Sequence, residues 1–244
     1  MIFETGEKDG FLARHAGFFE FVINWRRGLK PIRLAELTNE GANPRRLVIL
    51  SEDLVKGFTT VGRLASPRIA AVVPRVVRLF EAAYAAGVRD FVLPHDAHPP
   101  DSSEFDAFGP HCVKGTIEAQ TIDELAGLPF ADEFAMMPKQ SLDPSIGTEL
   151  DKWFDDRPLV GSVIVVGDCT DFCVYQAAMH LRVRADATGR KLEVIVPEDC
   201  VQTYDFTIED AGAGGMPHDG DVFHLLFLYH MALSGVRVVA GIEE

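Results

Sequence analysis

Cys173 stands where an apolar run gives way to a helical pattern, in Val163-Ile164-Val165-Val166-Gly167-Asp168-Cys169-Thr170-Asp171-Phe172-Cys173-Val174. The β-branched run suits a buried strand, Gly167 and Thr170-Asp171 break it, and the helical pattern follows from Phe172. A thiol in the first turn of a helix meets unpaired backbone N–H groups and the positive end of the helix dipole. Both favour the thiolate, which is the nucleophile. Such a nucleophile needs a proton acceptor and groups that hold the charge developing on the substrate oxygen. Asp53 and Lys139 also follow apolar runs. A carboxylate can take the thiol proton, and an ammonium can hold the thiolate and orient the carboxylate. Each residue also has an ordinary alternative: Cys173 as a buried apolar residue, Asp53 as a helix cap, Lys139 as a solvated surface lysine.

A second constellation is His95-Asp96-Ala97-His98-Pro99 followed by Pro110-His111-Cys112-Val113-Lys114-Gly115-Thr116. Asp96 and His98 are two apart in an irregular segment, so both side chains could converge on one ion, and His111 would add a ligand from a loop. Two imidazoles and a carboxylate, with positions left for water, suit zinc, iron or manganese. Without further context, loop histidines are commonly surface residues.

These residues must be positioned by a framework, and the hydrophobic pattern supplies one. Strands are predicted at 47–50, 89–93 (ended by Pro94), 133–137, 160–166, 192–196 and 236–240. Helices are predicted at 69–86 with Pro74 inside, 116–125, 172–187 and 219–233. Apolar strands alternating with helices predict an α/β fold: a three-layer open sheet of about six parallel strands with helices on both faces. Ligands bind beyond the carboxyl ends of the strands in such sheets. The residues at those ends are Asp53, His95 to His98, Lys139 and Asp168 to Cys173. Ahead of this domain (45–244), residues 1–44 read as an arm of one or two helices, interrupted by Gly28 and Pro31 and ending in a loop at 39–44.

A chain of 244 residues can bury one large core, and its 47% hydrophobic and 25% charged residues are ordinary globular values. The net charge of −14 disfavours nucleic acid and anionic membrane as partners. Four unevenly spaced cysteines (112, 169, 173, 200) suggest neither a disulfide framework nor a cysteine zinc site. The start of the chain lacks a basic-then-apolar signal pattern, and no apolar run reaches the length of a membrane span. A reduced, cytoplasmic protein is expected, and we expect a homo-oligomer.

Segments 47–58 and 165–174 resemble the signature segments of the isochorismatase-like cysteine hydrolases. The shared pattern is an apolar strand ending in Asp with Phe five residues later, then a strand, Gly, a Thr-Asp pair and the nucleophile in Cys-Val. The resemblance runs from about residue 45 to the end of the chain. It implies a catalytic triad of Asp53, Lys139 and Cys173, a cis peptide at Asp168-Cys169, and an oxyanion hole from the N–H groups of Cys169 and Cys173.

The histidine segments are similar to the nicotinamidase branch, whose pattern is D-x-H-P followed by P-x-H-C-x-x-G-T. That likeness implies a divalent metal (zinc, or iron or manganese) on Asp96, His98 and His111, binding the pyridine nitrogen of nicotinamide. Cys112 belongs to the pattern but reads as packing. There are departures. Ala97 stands where many relatives have an aromatic residue, and Gln140 where Gly often follows the lysine. Asp101-Ser102-Ser103-Glu104 replaces a segment with a further histidine, so Ser103 or Glu104 could fill that place directly or through water.

The implied activity is hydrolysis of nicotinamide, or a closely related small amide, to acid and ammonia through a thioester. Phe58 would pack against the substrate ring. Two other readings stand beside it: an amidase for a different small amide or ureide, and a binding or assembly protein that keeps the fold without catalysis. In that last reading the arm makes the partner interface; in the others it could cover the pocket or bind a neighbouring subunit. His218, His224 and His230 read as capping or packing residues, and His15 and His180 give no signal.

Overall fold

The computed structural model of the chain describes residues 8–38, 43–213 and 215–244. Six strands line up in the main sheet: β1 (Leu47–Glu52), β2 (Asp90–Asp96), β3 (Ala135–Lys139), β4 (Ser162–Asp168), β5 (Glu193–Pro197) and β6 (Arg237–Val239). Their spatial order is β3-β2-β1-β4-β5-β6, and every pairing is parallel. A seventh strand, Val201–Gln202, pairs with the end of β4. The order reverses between β1 and β4, which opens a crevice beyond their carboxyl ends.

Side-chain alternation explains why these runs are apolar throughout. Among the longer helices, α1 (Lys8–Arg27) belongs to the arm, and Ile49, Phe91, Leu93, Ile164 and Val166 face a core shared with α2 (Val73–Ala85). Val48, Leu50, Val92, Val163 and Val165 face the opposite core. That core is closed by α3 (Cys173–Thr188) and α4 (Gly220–Leu233). Burying each such side chain contributes about 1.5–3 kcal/mol, so sliding one strand by a residue would swap its two faces at prohibitive cost. The register is thereby set, and with it the height at which each strand releases its final residue.

The arm lies against the domain at two places. Trp25, Phe18 and Phe21 of α1 surround Tyr229 of α4 at ring distances of 5.2, 5.9 and 6.2 Å. Ile32–Arg33 then pairs in parallel with Ile242–Glu243 near the end of the chain. Residues 39–42 of the predicted loop lie outside the described residues. No helix among the described residues is long and apolar enough to cross a membrane.

Several elements differ from the sequence expectation. The helix expected at 69–86 is divided into Pro67–Ala70 and α2, with Pro74 in the first turn of α2, where its missing N–H costs nothing. β2 does not stop at Pro94 but continues to Asp96. Its last pair with β1 is Leu50↔Val92, so Pro94 needs no N–H there, while its carbonyl accepts from Asp53 N at 3.1 Å. The helix expected at 116–125 is confined to Asp123–Ala126, and residues 116–122 form no helix because their carbonyls serve the Asp53 loop. Gln120 O accepts from Lys56 N, and Glu118 O from Gly57 N, both at 2.9 Å. A helix at Leu150–Asp155 was not foreseen.

Gly167 has φ 106°, and a Cβ there would lie 2.0 Å from Glu52 O. Only glycine lets β4 pass this close to β1 on the way to the turn that carries Cys173.

Candidate active site

The carboxyl ends of β1 to β4 bring Asp53, Asp96, Lys139 and Cys173 together. Asp53 leaves β1 with φ 50°, and its Oδ1 accepts from Asp96 N at 2.8 Å. Lys139 ends β3 with its Nζ 2.7 Å from Asp53 Oδ2, in contact with Asp96 Oδ1, and 3.5 Å from Cys173 Sγ. Cys173 is the first residue of α3, after a turn whose Asp168-Cys169 peptide is cis. Asp53, Lys139 and Cys173 are all buried.

Burial sets the proton positions. It would lower the Lys139 ammonium, but Asp53 and Asp96 outweigh it and hold the group well above its usual range. Burial raises Asp53 to about 6, helped by Asp96 and opposed by Lys139. Glu52 and Asp168, also buried, are pushed well above the carboxylate range, chiefly by burial. At Cys173 burial works against the helix terminus. Burial raises its thiol well above the ordinary value, and the facing Lys139 only partly offsets this. Burial thus favours the thiol form of Cys173.

Asp96 is shared between two groups. Its Oδ1 faces Lys139, while Oδ2 lies 3.3 Å from His98 Nε2 and 3.7 Å from His111 Nε2. Glu104 Oε1 completes the second group at 3.9 Å from His98 Nε2 and 4.0 Å from His111 Nε2. The donor atoms of Asp96, His98, Glu104 and His111 all lie within 4.8 Å of one another. Both ring nitrogens of the fully buried His98 have no hydrogen-bond partner among the described residues. His111 Nδ1 is 2.8 Å from Gly109 O, an acceptor, so Nδ1 carries a proton and Nε2 is the nitrogen turned towards the carboxylates. Orphaned imidazole nitrogens aimed at two carboxylates fit a divalent metal of the zinc, iron or manganese class.

Of the residues anticipated for that position, Glu104 joins the cluster and Ser103 stays exposed at the rim. Cys112 is buried with its N–H bonded to Glu118 Oε2 at 3.0 Å, and its sulfur packs where a side chain on Gly57 would stand. Phe58 is buried in the core with its ring 5.7 Å from His111, while Phe105 and Phe108 flank the same imidazole at 5.6 and 6.2 Å. A cavity of about 430 Å³ opens beside Glu104, lined also by Phe108, Gln140, Leu142 and Gln176.

Sequence reasoning assigned no place in the site to several residues here. Glu52 lies in an apolar strand and shows no signal beyond its position. His95 is buried 3.4 Å from Thr121 Oγ1 and is kept neutral by burial, which pulls it down to about 3. His224, given no more than a capping or packing role from sequence, holds the turn before Cys173 through a 2.8 Å hydrogen bond to Thr170 Oγ1.

Burial lowers His224 from 6.5 to about 4, so the folded protein binds this proton less readily than the unfolded chain. Its stability contribution is complete above pH 6.5 and is lost as the pH falls towards 4. Wild type should therefore lose roughly 3 kcal/mol more than His224→Gln between pH 7 and pH 4 in urea titrations.

The isochorismatase domain family matches residues 47–221 of the chain. Nicotinamidase 1 of Arabidopsis thaliana is 29% identical over 211 residues, spanning 78% of this chain and 84% of that protein. N-carbamoylsarcosine amidase from Thermoplasma acidophilum superposes with a TM-score of 0.60 at 25% identity, covering 80% of this chain and 95% of that one. Nicotinamidase PncA from Bacillus subtilis superposes with a TM-score of 0.62 at 22% identity, covering 80% and 99%. With strand order, site position and family match in agreement, the chain belongs to the isochorismatase domain family.

Proposed function

We propose that the protein is a metal-containing cysteine amidohydrolase that converts nicotinamide, or a closely related small amide, to the acid and ammonia. The observation that carries this reading is the position of Asp96, one oxygen on Lys139 and the other on His98 and His111. A nucleophile with its proton acceptor thus stands next to a group of donors able to hold a metal. The similarity to Nicotinamidase 1 supports the amide chosen.

In this mechanism Cys173 attacks the amide carbon as Asp53 takes the thiol proton. A carboxyl near pKa 6 is suited to accept a proton and give it back near neutrality. Lys139 keeps Asp53 aligned and stabilises the emerging thiolate. The N–H groups of Cys169 and Cys173 hold the developing oxyanion. Asp53 returns the proton to the nitrogen, ammonia leaves, and Cys173 carries the acyl group as a thioester. A water then cleaves the thioester, restoring the thiol and releasing the acid. Asp96, His98 and His111, with Glu104 beside them, would hold a divalent metal, which would supply Lewis-acid chemistry towards a ring nitrogen of the substrate. Phe58 and Phe108 enclose the ring.

The polar lining of the adjacent cavity, with Gln140 and Gln176, favours a second reading in which a larger amide or ureide is the substrate. Metal analysis with a panel of amides separates the two. About one equivalent of metal and turnover of nicotinamide are expected, and His111→Ala should weaken metal binding about 10- to 100-fold. Protein without metal that hydrolyses a carbamoyl amide and leaves nicotinamide untouched would favour the second reading.

A further inference from the structure

His218 and Asp171 form a buried pair that the mechanism above does not use. His218 Nε2 lies 2.7 Å from Asp171 Oδ2, and Nδ1 lies 3.0 Å from Tyr204 O. A backbone carbonyl only accepts, so Nδ1 carries a proton. An ionised carboxylate also only accepts, so Nε2 carries a second proton or shares it with Asp171. The bond is charge-assisted in both cases. The imidazole is stacked between Tyr204 and Phe223 at ring distances of 4.1 and 4.3 Å, which fixes its plane. Its backbone is fixed too, because His218 and Phe206 exchange N–H···O bonds of 2.7 and 2.8 Å.

Asp171 lies two residues before Cys173, and its other oxygen is buried without a hydrogen-bond partner among the described residues. His218 is therefore the group that decides where the Asp171 carboxylate sits. We propose that His218 is a positioning residue, which through Asp171 holds the turn that places Cys173 at the start of α3. This rests on Cys173 being the nucleophile, as read above.

Two substitutions divide the contacts of the ring. His218→Asn keeps a donor near Tyr204 O but cannot reach Asp171, whereas His218→Gln reaches Asp171 and gives up Tyr204. The expected result is a fall in kcat of about 100-fold for His218→Asn with KM little changed, and recovery of most of that loss in His218→Gln. Alkylation of Cys173 by iodoacetamide, followed by peptide mass analysis, should slow about 10-fold in His218→Asn alone. Equal losses in both variants, or an unchanged kcat and alkylation rate in His218→Asn, would overturn the proposal. The alkylation measurement needs no substrate. Wild type inert towards nicotinamide would refute the substrate reading, while a selective slowing in His218→Asn would still sustain the positioning role.

Discussion

Cys173→Ala is expected to lower amide hydrolysis by about 10⁴-fold or more, with the melting temperature little changed. Asp53 and Lys139 would remain in place in that variant, paired at 2.7 Å. They would have no nucleophile to serve, because a general base without a group to activate contributes little. The structural cost is small: one sulfur atom is removed from the first residue of α3, and alanine is a strong helix former. Ammonia release and a thermal melt on the same preparation check both halves. Turnover surviving in the variant would show that another group attacks the carbonyl.

Lys139→Met should reduce activity to background and destabilise the fold by about 3–5 kcal/mol. The ammonium is fully buried and faces Asp53 and Asp96. Methionine fills a similar volume but leaves those carboxylates buried without their cation. Asp53 would then rise further above about 6 and hold its proton when Cys173 needs an acceptor. The change should appear in urea titration as a lowered midpoint with an unaltered slope. Full stability in Lys139→Met would mean that the carboxylates of this site are not ionised together in the folded protein.

Much of this arrangement was legible in the sequence, for a definite reason. A parallel sheet buried on both faces writes its strands as apolar runs, and the chemistry stands where those runs stop. Asp53, Asp96, Lys139 and Cys173 could each be found by that rule alone. Glu104 could be placed only as one of two candidates, because the sequence does not say whether Ser103 or Glu104 turns inward. Pro94 misled because a proline ends a strand only where a partner needs its N–H, and β1 has already stopped pairing there. The 116–122 stretch misled because its carbonyls are taken by the loop after β1, a demand made by residues some sixty positions away. His218 and Asp171 are 47 residues apart and meet only once the loop before α4 folds over the turn. The protonation of Cys173 depended on its burial, which local sequence does not record.

The most direct test is to incubate the metal-loaded protein with nicotinamide and hydroxylamine, then quantify ammonia, nicotinate and nicotinohydroxamate. A thioester on Cys173 predicts hydroxamate formed at the expense of the acid, with ammonia equal to their sum and none of the three above background in Cys173→Ala. Absence of ammonia from the wild type, or undiminished ammonia from Cys173→Ala, would contradict it.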